Sequence, residues 1–142
     1  MELGISNVTQ CNSRNEGQVL LYDGNGKGKS QCSLGLALRM IGLGISQSEE
    51  NRVLIVRFLK GKNRQYSEDI ALNAIKKSFP HLIDTIRTGS GDFITAETVS
   101  DYDVEEAQRA WDIAKGMLLS GLYSVVILDE INPAISLGLI SE

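Results

Sequence analysis

A glycine-rich stretch near the start of the chain, DGNGKGKS at residues 23–30, constrains the fold more than any other feature. It follows an apolar run, residues 18–22, and precedes a helical pattern. A strand, a glycine-rich turn, Lys-Ser and a helix are the parts of a phosphate-binding P-loop. Glycines let backbone N–H groups turn toward an anion, and the helix N-terminus adds partial positive charge. The stretch predicts that the chain binds a nucleoside triphosphate, with Lys29 reaching the outer phosphates and Ser30 ligating Mg²⁺.

The spacing of this loop departs from the strict P-loop pattern in one place. The pattern G-x-x-x-x-G-K-[ST] requires glycine at position 23, where this chain has aspartate, and Gly24 follows one step later. A glycine-rich turn that joins a strand to a helix without a ligand is the alternative interpretation.

A second signal is the apolar run YSVVILDE at residues 123–130, which ends in two acids. Continuous apolar runs of this length are typical of a strand buried on both faces in a parallel sheet. Asp129, at the carboxyl end of such a strand, would hold the Mg²⁺ water shell beside Ser30. Glu130 has two interpretations, an acid at the N-terminus of the next helix or a catalytic carboxylate.

Length and composition set the bounds for these hypotheses. A chain of 142 residues makes one domain, and a net charge of −4 gives no basic field that would favour nucleic acid. No apolar run approaches the ~20 residues of a membrane span, and the start of the chain lacks the features of a signal peptide. The two cysteines, Cys11 and Cys32, show no metal-ligand spacing, and we expect Cys32 to be a small buried side chain. These features predict a cytoplasmic protein that binds neither nucleic acid nor membrane.

The pattern along the chain predicts alternating strands and helices. The predicted strands are 18–22, 52–59, 83–88 and 123–130. The predicted helices are 29–41, 67–79, one with Asp103 as N-cap that Gly121 closes, and a short one within 131–140. Gly42 and Gly44 are expected to stop the first helix. The predicted apolar face of the second helix consists of Ile70, Ala71, Ala74, Ile75 and Phe79.

This order predicts a single P-loop domain over residues 17–142, preceded by a polar arm over residues 1–16. The expected fold is the three-layer P-loop NTPase (RecA-like) α/β fold, with a mostly parallel sheet and helices on both faces. Ligands of such sheets bind beyond the carboxyl ends of the strands. That edge gathers the glycine loop, the basic turn 60–64, the turn 89–93 and the acids at 129–130.

Four segments in this order resemble the P-loop type of ATP:corrinoid adenosyltransferase. They are GNGKGKS at 24–30, GLALR at 35–39, FLKG at 58–61, and LDEIN at 128–132, which Ala134 extends to the D-E-[ILV]-N-x-A pattern of that family. The resemblance extends from about residue 17 to the end of the chain.

The resemblance implies a reaction and a set of ligands. The family transfers the 5′-deoxyadenosyl group of ATP to the cobalt of a reduced corrinoid and releases triphosphate, so no protein nucleophile is needed. The resemblance implies Mg²⁺ at Ser30 and Asp129, neutralisation of the triphosphate by Lys29, a homodimer, and an electron-donating flavoprotein partner. Lys29 and Glu130 are the candidate catalytic residues. The residues predicted to bind ATP or corrinoid are Gly24, Asn25, Gly26, Lys27, Gly28, Lys29, Ser30, Gln31 and Phe93.

Three departures from the family pattern keep other functions open. The aromatic pair near the corrin is reduced to Phe93, the glutamine before FLKG is Arg57, and we expect the C-terminal part of the family fold to be missing. A RecA-like ATPase or phosphotransferase would use Asp129 and Glu130 as the metal acid and the water-activating acid. A non-catalytic relative would bind ATP alone.

Overall fold

The computed structural model describes residues 17–47, 51–61 and 63–141. In chain order these form α1 (Lys29–Gln47), β1 (Val53–Arg57), α2 (Ser67–Ser78), β2 (Ile83–Arg87), α3 (Asp101–Leu119), β3 (Val125–Asp129) and α4 (Ile131–Ser136). The predicted arm, residues 1–16, lies outside the described residues. The alternation of helices and strands is confirmed from α1 onward.

The sheet is parallel, as predicted, and β1 lies at its centre between β2 and β3. Val53 is opposite Ile83 on one side and Val125 on the other. At the carboxyl end of the same strand, Arg57 is opposite Arg87 and Asp129. The register therefore gathers charged side chains at the edge where the sequence places the site.

Helices cover both faces of the sheet, which confirms the predicted layering. Every residue of β1 is buried, and successive side chains of a strand point to opposite faces. Leu54 and Val56 pack with α3 and α4, whereas Val53 and Ile55 pack with α1 and α2. The core is therefore divided into two apolar layers by one central strand.

Helix α1 is longer than predicted, because it passes through Gly42 and Gly44 and ends at Gln47. A glycine inside a helix costs about 1 kcal/mol relative to alanine, which is too little to stop a helix that packs on a sheet. Gly44 is buried with Ala37 and Ile41 on the sheet-facing side. Cys32 is exposed, so the prediction that it is buried is wrong.

The N-cap of α3 is Ser100, so the prediction of Asp103 is wrong by three residues. The Ser100 side chain accepts from the backbone N–H of Asp103, and the Asp103 carboxylate accepts from the backbone N–H of Ser100. Burial alone would raise the pKa of Asp103, but hydrogen bonds from Ser100 and Ser90 outweigh it and hold that pKa below its ordinary value. After the helix ends, Gly121 adopts the positive φ of 68° that favours glycine, as the sequence predicts.

Residues 18–22 do not form the predicted strand. Val19 is 93 % exposed and Leu21 67 % exposed. A strand exists only through hydrogen bonds to a neighbour, and within the described residues β3 pairs with β1 alone. The glycine loop is therefore held in place by α1 and its contact with β3, not by a strand before it.

Two further details of the helices and strands differ from the sequence prediction. Of the predicted apolar face of α2, Ile75 and Phe79 pack against the core, whereas Ile70, Ala71 and Ala74 are exposed. The helix also buries Leu72 and Asp69, because acids of its first turn reach toward the sheet. Strand β3 is shorter than 123–130, and only Ile127 within it is fully buried. Among the described residues, no helix is both long and apolar enough to cross a membrane.

Candidate functional site

The first turn of α1 meets the carboxyl end of β3. Ser30, the second residue of α1, donates a hydrogen bond from Oγ to Oδ1 of Asp129 at 2.7 Å. The two residues are 99 positions apart in the chain. The fold therefore brings together the hydroxyl and the carboxylate that the sequence singles out for Mg²⁺.

Lys29 lies over the glycine loop. Its Nζ donates to the carbonyl oxygens of Gly24 at 2.6 Å and Gly26 at 2.9 Å. Gly24 and Gly28 have φ angles of 128° and 115°, which side-chain-bearing residues rarely adopt. The loop conformation thus depends on the glycines at these two positions, and the loop carbonyls hold the lysine ammonium.

The loop and Glu130 enclose an open cleft of about 220 Å³. Its lining residues are Gly26, Lys27, Gly28, Lys29, Ser30, Gln31 and Glu130. Pockets that enclose a whole drug-sized ligand measure roughly 300–1,000 Å³. The cleft is smaller and contains two lysines and a helix N-terminus, so its size and charge suit a chain of phosphates.

Glu130 has an unusual backbone conformation at the end of β3. Its φ of 63° and ψ of 24° lie in the left-handed region, which non-glycine residues occupy at a cost of order 1–3 kcal/mol. It occupies the N-cap position of α4 but makes no capping hydrogen bond with its side chain. Instead its Oε1 lies 3.2 Å from Nζ of Lys60. Glu130 thus begins a helix with its backbone and lines the cleft, while its carboxylate pairs with Lys60 and does not cap the helix.

Lys60 belongs to the turn after β1, which packs directly on the turn after β2. Gly61 and Gly91 approach each other so closely that a Cβ on Gly61 would lie less than 3.0 Å from backbone atoms of the neighbouring turn. Arg87 donates to the carbonyl oxygens of Gly61 and Arg64 and so fastens the same turn. Lys62, the middle residue of the predicted basic turn, lies outside the described residues.

A buried charge cluster below the cleft was missed by sequence reasoning. Arg57 is 1 % exposed and donates to Asp69 from Nη1 and to Glu68 from Nη2, each at 2.5 Å. Its Nε lies 3.4 Å from Oδ2 of Asp129, and its guanidinium carbon lies 5.2 Å from the centre of the Tyr66 ring. The available signal was a charged residue inside the apolar run VLIVRF, followed eleven and twelve residues later by two acids.

One acid of this cluster, Glu68, has a lowered pKa. A hydrogen bond from its own backbone N–H is the main reason that the pKa of Glu68 lies below its ordinary value, and Arg57 lowers it further against the effect of burial. Asp69 also pairs with Nη1 of Arg87 at 2.9 Å. Two arginines therefore share three carboxylates, those of Glu68, Asp69 and Asp129.

The donor set beside the loop fits Mg²⁺. Ser30 offers a hydroxyl and Asp129 a carboxylate, both hard oxygen ligands. In the part of the chain that the structure describes, no group of three or more His, Cys, Asp or Glu side chains could hold a metal alone. Mg²⁺ commonly uses one or two protein ligands and completes its octahedron with water and phosphate oxygens, so this sparse set is sufficient.

Phe93, which the sequence places near the acceptor, does not line the cleft. Its side chain is 92 % exposed on the segment after β2. The structure therefore brings Lys29, Ser30, Asp129 and Glu130 together but leaves Phe93 outside the group. Its role in binding corrinoid stays a prediction.

Fold and cleft together define an α/β protein with a parallel sheet and a polar, glycine-lined cleft at the carboxyl edge of its strands. The profile of the family described as ATP:corrinoid adenosyltransferase BtuR/CobO/CobP matches residues 15–142. The chain belongs to this family.

Individual relatives agree with that assignment. The chain is 54 % identical over 140 residues to an uncharacterized protein of Nostoc sp. (strain PCC 7120), covering 98 % of this chain and 37 % of that protein. It is 32 % identical over 123 residues to the corrinoid adenosyltransferase of Pseudomonas aeruginosa, covering 86 % of this chain and 54 % of that enzyme. For the Escherichia coli (strain K12) corrinoid adenosyltransferase the identity is 28 % over 117 residues, covering 82 % and 52 %.

The chain thus spans about half the length of the curated relatives that bear the enzyme's name. No solved structure matches the chain significantly.

Proposed function

We propose that the protein binds Mg·ATP in the cleft and transfers the 5′-deoxyadenosyl group to the cobalt of a reduced corrinoid. The observation that carries this proposal is the 2.7 Å hydrogen bond between Ser30 and Asp129 beside the Lys29 loop. Family membership supplies the substrate class, and the described sheet is proposed to be part of a RecA-like P-loop fold.

In the proposed reaction the substrate supplies the nucleophile, so the task of the protein is to stabilise the leaving group. Cobalt(I) of the substrate attacks the 5′ carbon of ATP, the bond from that carbon to the triphosphate oxygen breaks, and triphosphate leaves. Backbone N–H groups of residues 25–29, with Lys27 and Lys29, would stabilise the negative charge of the departing triphosphate. Mg²⁺ bound at Ser30 and Asp129 would add further positive charge there.

Glu130 is proposed as the second functional carboxylate of the cleft. It lines the cleft together with the loop residues proposed to bind phosphate, and its carboxylate forms an ion pair with Lys60. The strained backbone at position 130 is consistent with a functional demand, because such strain is concentrated at active sites.

The test is incubation with ATP, Mg²⁺ and chemically reduced cobalamin, with the cobalt–carbon spectrum and the phosphate products measured together. We expect the spectrum of the alkylated corrinoid to appear with one triphosphate released per transfer. Lys29→Ala should abolish both, whereas Lys77→Ala, an exposed lysine on α2, is the matched control and should abolish neither. Transfer that survives Lys29→Ala would contradict the proposed site.

Two observations favour other outcomes of the same assay. Glu130 lies next to Asp129 at the cleft, as a water-activating acid would, and an ATPase would release orthophosphate in place of triphosphate. The exposure of Phe93 favours a nucleotide-binding protein without transfer, which would give neither product. A homodimer and a flavoprotein reductant remain proposals that follow from the family, and a cytoplasmic location remains a proposal that rests on the composition of the chain.

A further inference from the structure

Arg57 is a charged residue at the carboxyl end of the central strand, and it contacts a candidate metal ligand. It stands in β1 directly opposite Asp129 of β3, and the next backbone N–H, that of Phe58, donates to the carbonyl oxygen of Asp129 at 3.0 Å. Asp129 is therefore fixed by its neighbour strand through both its backbone and its side chain.

The two carboxylate oxygens of Asp129 have different partners. Oδ1 accepts from the Ser30 hydroxyl at 2.7 Å, and Oδ2 lies 3.4 Å from Nε of Arg57. This contact is a charge pair without a hydrogen bond, because Nε of Arg57 is buried and has no hydrogen-bond partner among the described residues. The attraction favours the orientation of Asp129 in which Oδ2 faces Arg57 and Oδ1 faces Ser30.

A cation beside a metal ligand would normally weaken metal binding by cancelling the ligand's charge. Here the charge of Arg57 is already balanced by Glu68 and Asp69, which bind its two terminal nitrogens. Two arginines facing three carboxylates leave one negative charge in the cluster. The cluster therefore orients Asp129 without removing the negative charge that attracts a divalent cation.

A similar cluster at the opposite end of the sheet provides a comparison. Arg52 pairs with Asp84 at 2.9 Å and lies 5.1 Å from the centre of the Tyr123 ring, just before β1 begins. It has the same chemistry, an arginine with a carboxylate and a tyrosine ring, but it lies far from the glycine loop. A purely structural role for Arg57 would resemble that of Arg52.

We propose that Arg57 is a positioning residue that presents Asp129 to the magnesium ion of the bound nucleotide, with Glu68 and Asp69 neutralising it. The inference rests on the proposed Mg·ATP site. Mutation of a residue that contacts a metal ligand, and not the metal itself, typically lowers metal affinity about 10–100-fold. The effect should therefore appear as a loss of the affinity that magnesium adds to nucleotide binding.

The experiment is calorimetric titration of ATP into the protein, once with MgCl₂ and once with EDTA, in the absence of corrinoid. The variant is Arg57→Lys, which keeps one positive charge for the buried acids but lacks Nε and the planar fork. The magnesium gain is the ratio of the ATP affinity measured with MgCl₂ to that measured with EDTA. We expect Arg57→Lys to lower this gain about ten-fold, while its ATP affinity in EDTA stays within about two-fold of the wild-type value. Arg52→Lys is the matched control and should keep the full magnesium gain.

A double-mutant cycle separates positioning from general damage. Asp129→Asn should lose the magnesium gain, and Arg57→Lys should cost nothing further in the Asp129→Asn background, because both act on one ligand. Equal losses with and without magnesium, or additive losses in the cycle, would overturn the role of Arg57. Full retention of the magnesium gain in folded Arg57→Lys would overturn it as well.

A second variant and the wild-type protein provide two further tests of the role of Arg57. If Arg57→Lys fails to fold, Glu68→Gln replaces it, because the Glu68 side chain is 36 % exposed. Removing this neutralising partner should lower the magnesium gain about three-fold, and an unchanged gain would count against the proposal. A wild-type protein with no magnesium gain would refute the Mg·ATP site itself, and the role of Arg57 with it.

Discussion

Gly61→Ala tests whether the two turns beside the cleft must pack backbone against backbone. A Cβ at position 61 would come closer than 3.0 Å to Gly91 N, Gly91 Cα and the carbonyl carbon of Ser90. All three are backbone atoms, so no flexible side chain can move aside. The two turns would have to separate by roughly 1 Å to restore ordinary contact distances.

The expected cost follows from that separation. Overpacking a well-packed site costs typically about 1–3 kcal/mol, and a clash with backbone on a buried turn belongs at the upper end, near 3 kcal/mol. For a chain of this size, roughly 3–4 °C in Tm corresponds to 1 kcal/mol, so we expect a drop of about 10 °C. Because the same turn carries Lys60, ATP affinity should also fall.

Thermal and urea denaturation followed by circular dichroism measure the stability, and calorimetry measures the ATP affinity. Gly42→Ala is the control, because a Cβ there meets nothing within 4 Å and the residue lies inside α1. It should raise stability by about 0.5–1 kcal/mol through helix propensity alone. Gly61→Ala with wild-type Tm and wild-type ATP affinity would refute the packing described for these turns.

Three further substitutions test other parts of the structure. Asp103→Asn should lower the free energy of unfolding by about 1 kcal/mol at pH 7. The pKa of Asp103 is lowered in the folded protein, so this carboxylate stabilises the fold only while it is charged. Denaturation measured at several pH values should therefore show the difference between variant and wild type shrinking below pH 3.8. Ala110→Leu should destabilise the fully buried α3 contact by about 1–3 kcal/mol in urea denaturation, and an unchanged midpoint would contradict that packing. Phe93→Ala should leave Tm unchanged, because the ring is exposed. It should weaken corrinoid turnover but not ATP binding, and undiminished turnover would show that Phe93 is not part of the acceptor site.

Sequence reasoning predicted those parts of the fold that local patterns encode. The run at 123–130 predicts a parallel strand with its acid at the carboxyl end, and topology then places Asp129 beside the glycine loop. The structure has both features, and the contact between Ser30 and Asp129 follows from them. Local signals succeed here because the motif and the topology point to the same edge of the sheet.

The errors arose where tertiary contacts decide the outcome. Residues 18–22 have the composition of a strand, but no strand of the described sheet pairs with them. Gly42 and Gly44 look like helix stops, yet packing on the sheet outweighs their low propensity. Arg57 could be noticed as an anomaly in an apolar run, but its three acidic partners depend on the position of α2 and β3, which spacing alone does not reveal.

The hydrogen bonds of Lys29 to the Gly24 and Gly26 carbonyls have a consequence for anion selectivity. The ammonium has three N–H donors and these carbonyls accept from two of them, so a phosphate that takes either of the two must exchange with a carbonyl, and only the surplus contributes to affinity. A single orthophosphate offers little beyond replacement of those carbonyls, whereas a triphosphate brings additional oxygens to the backbone N–H groups farther along the loop. We therefore expect the resting lysine to favour long phosphate chains over short ones.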